Sequence, residues 1–410
     1  MKHNLAYALL GLPLAFFALP LYVHLPKLYA EHIGLPLAAI GAVLLAARLL
    51  DAVFDPLIGR WCDRHRQRKQ MLLLALPLLL GGWLMLFLPP PDAGLLWLAV
   101  GLLLAYAGYS LATINHNAWG AEFPADDSGR LQVTAWREGA ALCGVMLAAG
   151  LPAALADNLA QGLARLGWVF VPTLLIATAL ALWLVPRGAS VQTAHVETGI
   201  RRAQLWRLPM FRKLLGIYAI TGIAAAVPAT LVLIDVADVL QAGAWSGVFL
   251  LLYFLAGALA LPFWVALAER IGRLAAWRNA MLLAMASFVV TPFLGSGDTV
   301  FFAAVCIASG IALGADLAMP PALLAEHVAQ HGQASTSYGW WAAVTKLSLA
   351  LAAGIALPLV AVLGYVPAQG GSLALAWVYG GLPLLLKGAA YFSLRRARIS
   401  LQSLDQGVPA

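Results

Sequence analysis

Charge is what this sequence has least of. Of 410 residues, 25 are Lys or Arg and 18 are Asp or Glu, 10% in all, where a soluble globular chain carries about 25%. With 62% hydrophobic residues and a mean hydropathy of +0.85, the scarcity of charge excludes an ordinary soluble domain and points to a polytopic membrane protein. Cysteine is almost as scarce. Cys62, Cys143 and Cys306 stand singly, without CxxC or His/Cys clusters, so neither a disulfide framework nor a zinc site is expected. HExxH, GxSxG and any nucleophile–base spacing are missing too, so the chain is not expected to be an enzyme or to hold a redox or metal cofactor. No cleavable signal peptide is expected, because the apolar run after Asn4 is too long for one and lacks a small-residue cleavage site behind it. No polar stretch is long enough to fold outside the membrane. That argues against nucleic-acid binding in spite of the net charge of +7, and against a non-transporting sensor, which needs an output domain.

What the sequence has is apolar runs. Twelve spans read off at roughly 5–29, 37–59, 71–89, 95–117, 134–156, 166–186, 213–236, 245–267, 276–294, 299–324, 339–363 and 372–393, each about the 17–25 residues that a 30 Å hydrocarbon core requires. Basic residues crowd the even-numbered connections, with Arg60, Arg64, Arg66, Arg68 and Lys69, then Arg130, then Arg187 to Arg212, then Arg270 and Arg273. Arg395, Arg396 and Arg398 close the tail, while the opposite connections hold little beyond Arg165. The positive-inside rule predicts a multi-pass protein of the cytoplasmic (inner) membrane with both termini in the cytoplasm. The basic surplus is then a topology signal that also meets membrane lipids.

The longest cytoplasmic connection lies at the midpoint. This predicts an N-terminal six-helix bundle over 1–186, a linker over 187–212 and a C-terminal six-helix bundle over 213–410. Within the connection, IRRAQLWRLPMFRK (200–213) predicts a short amphipathic helix on the membrane surface. The halves repeat one another: DPLIGRWCDR (55–64) matches LPFWVALAER (261–270), pairing Pro56 with Pro262, Asp63 with Glu269 and Arg64 with Arg270. WGAE (119–122) likewise matches LLAE (323–326). Gly59, Asp63, Arg64, Glu269 and Arg270 are expected to act structurally and in gating, with their charges against helix ends and neighbouring loops.

Three charges do not repeat. Arg48, Asp51 and Asp55 map to Phe254, Gly257 and Leu261, so the fold itself does not require them. Their i, i+3, i+7 spacing places them on one helix face, and Asp51 lies about 13 Å along the axis from Arg60 at 1.5 Å per residue. A charge at mid-membrane costs on the order of 2.5–3.5 kcal/mol on insertion scales. Pro56 frees a backbone carbonyl beside Asp55. Two carboxylates with a carbonyl form a hard oxygen site suited to H⁺, Na⁺ or Li⁺. Other polar residues at depth are Thr113, Asn115, His116 and Asn117 of span 4, Asp316 of span 10 and Lys346 of span 11, for which Asp51 or Asp55 is the natural partner. Arg137 and Glu138 read first as an adjacent ion pair, and Arg137 second as a solute contact. Asp235 and Asp238 read as solvated residues at the outer mouth, and Lys387 as snorkelling to the cytoplasm. Trp340 is one of several aromatics able to stack on a solute.

RLLDAVFDPLIGRWCDR (48–64) closely resembles the span-2 motif of the glycoside–pentoside–hexuronide:cation symporters, a family of the major facilitator superfamily that also includes lysophospholipid transporters. ATINHNAW, GRLQVTAWREG and the Lys of WWAAVTKLSLALAAG support the likeness, which runs over most of the chain. The resemblance implies an all-α membrane protein with the major facilitator fold, twelve helices in two pseudo-symmetric six-helix bundles. It implies that Asp51 and Asp55 take the places of the cation-binding carboxylates and Thr113 that of a hydroxyl ligand. Lys346 takes the place of the charged residue at the cavity centre, and Arg137 that of a substrate-side Arg. The chain departs from the pattern at Phe54, where sodium users often have Asn, and in span 1, which lacks an acidic residue where sugar-binding members have one.

These readings predict a monomeric symporter working by alternating access. An H⁺ or Na⁺ at Asp51, Asp55 and Thr113 is coupled to a small organic solute such as a sugar or glycoside, with the proton favoured. The solute is expected between the halves, against Asn115, His116, Arg137, Asp316, Trp340 and Lys346. A lipid or amphiphile carrier of the same fold is the alternative.

Overall fold

A computed structural model describes residues 2–406 apart from 66, 125, 157–158, 187–204 and 366–372. Among the described residues the chain is helical, with three short 3₁₀ turns and no strand. The helices are α1 (Lys2–Leu9), α2 (Gly11–Val23), α3 (Leu25–Glu31), α4 (Leu37–His65), α5 (Arg68–Phe87), α6 (Leu95–Glu122), α7 (Asp127–Leu155), α8 (Leu159–Leu184), α9 (Pro209–Asp238), α10 (Ser246–Ile271), α11 (Arg273–Val289), α12 (Thr299–His331), α13 (Ala334–Val362) and α14 (Leu373–Gln406). Ten candidate spans among the described residues are long and apolar enough to cross a membrane. The two long helices outside that set are α4, which carries Arg48, Asp51 and Asp55, and α7. Helices lie at all twelve of the expected span positions, the first position covering α1, α2 and α3.

Proline and glycine punctuate these helices. Span 1 breaks at His24, because Pro26 has no N–H to continue the helix back to the carbonyl of residue 22 and suits a new first turn. Gly272, at φ +87°, ends α10 in the left-handed region that glycine enters at no steric cost. The expected surface helix over 200–213 falls partly outside the described residues. Its described part is a 3₁₀ turn at Leu205–Arg207 followed by α9 itself from Pro209.

Two compact units result. Unit 1 holds residues 1–197 together with 328–343, and unit 2 holds 198–327 with 344–410. The end of α12 and the first turns of α13 lie with unit 1 rather than with the rest of the C-terminal helices. In unit 1 an aromatic cluster centres on Phe170, stacked on Phe16 at 5.9 Å and on Trp83 at 4.3 Å between ring centroids. In unit 2, Phe249 and Phe302 meet edge-on at 4.9 Å. In lipid, burying apolar area gives helices little reason to associate, so close backbone approach at small residues carries the packing. On α5 and α6, Gly82 abuts the Ala105 backbone and Gly108 that of Leu79, where an added Cβ would lie 2.6 Å away in each case. The outer faces are apolar: Trp168, Leu96 and Val300 are 83%, 78% and 77% exposed, as lipid contact demands.

Candidate functional site

The buried face of α4 carries Ala47, Asp51, Asp55, Gly59 and Cys62, repeating every three or four residues. Asp51 is 5% exposed and Asp55 0%, with Arg48 half-buried on the same side. Both carboxylates thus turn away from lipid, as the i, i+4 spacing predicts. Phe54, to the side of this face, is exposed. Across the crossing with α6, Ser110 Oγ donates to Asp51 Oδ1 at 2.8 Å, and Ser110 is itself fully buried. Ser110 was not among the sequence-derived candidates. Its signal was its place one turn before Thr113 on the same helix. Thr113, half-buried, donates its hydroxyl to the Tyr109 carbonyl of its own helix at 2.7 Å.

The twin crossing in unit 2 shows what the fold needs at this point. Gly257 is the counterpart of Asp51. Sliding span 4 onto span 10 in the register of WGAE and LLAE places Ser110 at Gly314. An added Cβ on Gly314 would lie 2.8 Å from the Gly257 carbonyl. Unit 2 closes the crossing with two glycines, where unit 1 places a carboxylate and a hydroxyl.

Nearer the end of α4, Asp63 accepts from the backbone N–H groups of Ser335 (2.9 Å) and Thr336 (2.7 Å) and from the Thr336 hydroxyl (2.7 Å). These groups open α13, so the carboxylate satisfies N–H groups that a helix start leaves without partners and meets its positive dipole end. Gly59, one turn earlier, lies so close that an added Cβ would sit 2.2 Å from the Ser335 carbonyl oxygen. Arg68 completes the network. It binds Glu122 through Nε (2.9 Å) and Nη2 (2.5 Å), reaches Asp63 at 3.5 Å and donates to the Ser335 hydroxyl. Arg68 and Glu122 were missed as site residues, although Glu122 belongs to the repeated WGAE. Arg64, Glu269 and Arg270 are exposed.

The expected solute contacts divide between the units. In unit 1, Asn115 is buried and its Nδ2 donates to the Arg68 carbonyl at 2.5 Å. His116 is 2% exposed, with Nε2 2.9 Å from the Tyr7 carbonyl and its ring 4.1 Å from the Tyr7 ring, while Tyr7 OH donates to the His116 carbonyl at 2.9 Å. Arg137 is buried and paired with Glu138 at 2.5 Å. Trp340 is half-buried. In unit 2, Lys346 is 7% exposed. Asp316 is held on both oxygens, accepting from Trp277 Nε1 at 2.9 Å and forming an ion pair with Lys387.

That ion pair corrects the expectation for Lys387. Its side chain is 6% exposed and does not snorkel, because a carboxylate on a neighbouring helix meets it at depth. Asp235 is corrected as well. It is 4% exposed rather than solvated, since α9 turns it inwards beside Val236 while Asp238, three residues on, accepts from the Tyr365 hydroxyl. Burial, followed by the Asp238 carboxylate, pushes the Tyr365 phenol up to about 12. Among the described residues no group of three His, Cys, Asp or Glu side chains is placed to hold a metal ion.

Solved structures share this build. The chain matches the Escherichia coli fucose:proton symporter FucP with a TM-score of 0.70 at 16% identity, covering 96% of this chain and 98% of that one. It matches an outward-facing bacterial homologue of the iron transporter ferroportin with a TM-score of 0.76 at 15% identity, covering 98% and 99%. Fold and spans together define a multi-pass helical membrane protein with the major facilitator fold. The sequence matches the MFS/sugar transport protein family over residues 4–400, and the protein belongs to that family, as the span-2 motif implied. The inner membrane symporter YicJ of Escherichia coli (strain K12) is 26% identical over 211 residues, 48% of this chain and 45% of YicJ. The chain thus aligns with just under half the length of that curated relative. YicJ adds to the likeness to the glycoside–pentoside–hexuronide:cation symporters.

Proposed function

We propose that this protein is a secondary active symporter of the inner membrane, with both termini cytoplasmic, that couples a monovalent cation to a small organic solute such as a sugar or glycoside. The observation that carries this reading is the pair of buried carboxylates on α4, Asp51 and Asp55, at a helix crossing that the other unit closes with glycines. Charge placed where the twin does without it serves something other than folding. A cation at these carboxylates lowers the cost of keeping them from water, so ion binding biases the protein towards its closed form. Thr113 stands one turn from Ser110 and can add a ligand.

The proton is the favoured ion. The position where sodium users often carry an amide is Phe54 here, and Phe54 faces outwards. FucP, of the same fold, is a proton symporter by its name, and YicJ is a symporter. Asn115, His116, Arg137, Trp340 and Lys346 remain the candidates for solute contact. Asp316 is already engaged by Lys387 and Trp277, and we assign it to holding unit 2 together.

The test uses proteoliposomes and a panel of radiolabelled monosaccharides, disaccharides and glycosides, under an imposed proton or Na⁺ gradient. Accumulation driven by the proton gradient, with alkalinisation of a weakly buffered medium on solute addition, is the expected result. Uptake that rises with external Na⁺ and moves no protons would reverse the order of ions. Accumulation of none of the panel under either gradient would overturn the reading.

A further inference from the structure

We infer that unit 2 carries a binding site for an anionic phospholipid, built from the start of α9 and the end of α14. Its place in the cytoplasmic leaflet follows from the orientation proposed above. The stretch LWRLPMFRK (205–213) is a 3₁₀ turn that runs into α9. Trp206 and Arg207 of the turn and Arg212 and Lys213 of α9 are exposed, while Phe211 between them is fully buried. Trp206 meets Phe211 edge-on at 5.8 Å between ring centroids, and Phe211 stacks in turn on His327 of α12 at 5.4 Å. The exposed indole is thus anchored beside the cations.

More cations come from α14, which packs along α9. One core cluster joins Val227, Leu231 and Val236 of the second half of α9 to Leu375, Val378 and Tyr379 of the first turns of α14. The two helices therefore run antiparallel, and the opening turns of α9 lie level with the last turns of α14. Arg395 and Arg396 are exposed there. No acidic residue occurs within 205–216 or 391–397, and Arg207, Arg212, Arg395 and Arg396 form no ion pair with a described carboxylate. Guanidinium groups bind phosphate oxygens through paired N–H donors, and tryptophan settles at headgroup level.

The surface next to these cations commits the site to a lipid over a free phosphate. Leu385, Phe392 and Arg396 follow one another at i, i+7 and i+11, so they share a stripe of α14. Leu385 and Phe392 are 73% and 59% exposed. At 1.5 Å per residue the stripe runs about 16 Å from Leu385 to Arg396, close to half of the roughly 30 Å hydrocarbon core. Acyl chains can lie along the apolar part while the phosphate meets the arginines. A free anion would leave that part unused.

The test uses purified full-length protein in detergent. Dioleoylphosphatidylglycerol or dioleoylphosphatidylcholine is added, and bound lipid is counted by native mass spectrometry. Phosphatidylglycerol is expected to bind about tenfold tighter or more. Arg396→Gln should weaken it about fivefold, and Arg212→Gln combined with Arg396→Gln about twenty-fivefold, a factor of about five per charge. Arg395→Gln gives a second reading of the same site should either variant fold poorly. Arg270→Gln removes a charge that is equally exposed but adjoins the exposed Glu269, and should stay within about twofold of wild type. Equal binding of the two lipids would overturn the inference, and so would a loss in Arg270→Gln as large as that in Arg396→Gln. Displacement of the lipid by an equal concentration of inorganic phosphate would also overturn it, making this a free-anion site. None of these outcomes touches the symport reading, which solute accumulation tests separately.

Discussion

Neutralising Asp316 should destabilise unit 2 strongly, and removing its partner as well should largely restore it. The Asp316 and Lys387 side chains are 13% and 6% exposed, so Asp316→Asn leaves a lysine ammonium buried without its counter-charge. Breaking a buried pair from one side costs about 3–5 kcal/mol. The asparagine keeps a carbonyl oxygen for Trp277 Nε1, so the loss isolates the ion pair. For a unit of about 200 residues, each kcal/mol moves the melting temperature about 2–4 °C, which gives a fall of about 10 °C. The double variant Asp316→Asn with Lys387→Met removes both charges and should recover most of the loss, because apolar replacement of a whole buried pair is often neutral. A thiol-reactive fluorophore reads the transition well in a Cys143→Ser background, since Cys62 and Cys306 are buried and Cys143 is exposed. The reasoning fails if Asp316→Asn melts within about 2 °C of wild type, or if the double variant melts no higher than the single one.

Three further outcomes are expected. Asp55→Asn should fold and traffic as wild type, since unit 2 carries Leu261 at the matching position, but should equilibrate solute without accumulating it; accumulation at the wild-type level in proteoliposomes would refute the coupling role. Gly59→Ala should cut transport to about a tenth or less, because the added Cβ would lie 2.2 Å from the Ser335 carbonyl, while Asp63→Asn should weaken the same contact by about 0.3–2 kcal/mol; initial uptake rates in both variants, normalised to folded protein, are the measure. Tyr7→Phe should lose the bond to the His116 carbonyl at 2.9 Å and about 1 kcal/mol of stability, read as a melting shift of a few degrees with unchanged ion dependence.

The sequence by itself determined the class of protein, the number of spans and the face of α4 on which Asp51 and Asp55 lie. These follow from local quantities. Hydropathy over about 20 residues decides whether a segment can cross hydrocarbon, and the 3.6-residue turn decides which side chains share a face. The internal repeat went further, marking Asp51 and Asp55 as charges that the fold does not demand. Only the tertiary structure decided which polar groups meet. Ser110 reaches Asp51 across 59 residues of sequence, and Lys387 reaches Asp316 across 71. Asp235 was misjudged because its distance from the span's end suggested water, whereas the rotation of α9 against its neighbours buries it. Periodicity fixes the relative bearing of residues on one helix. It leaves open the rotation of that helix in the bundle and the identity of the helix it faces, and those are set by close contacts such as Gly314 on Gly257 and Gly59 on Ser335, made between residues distant in sequence.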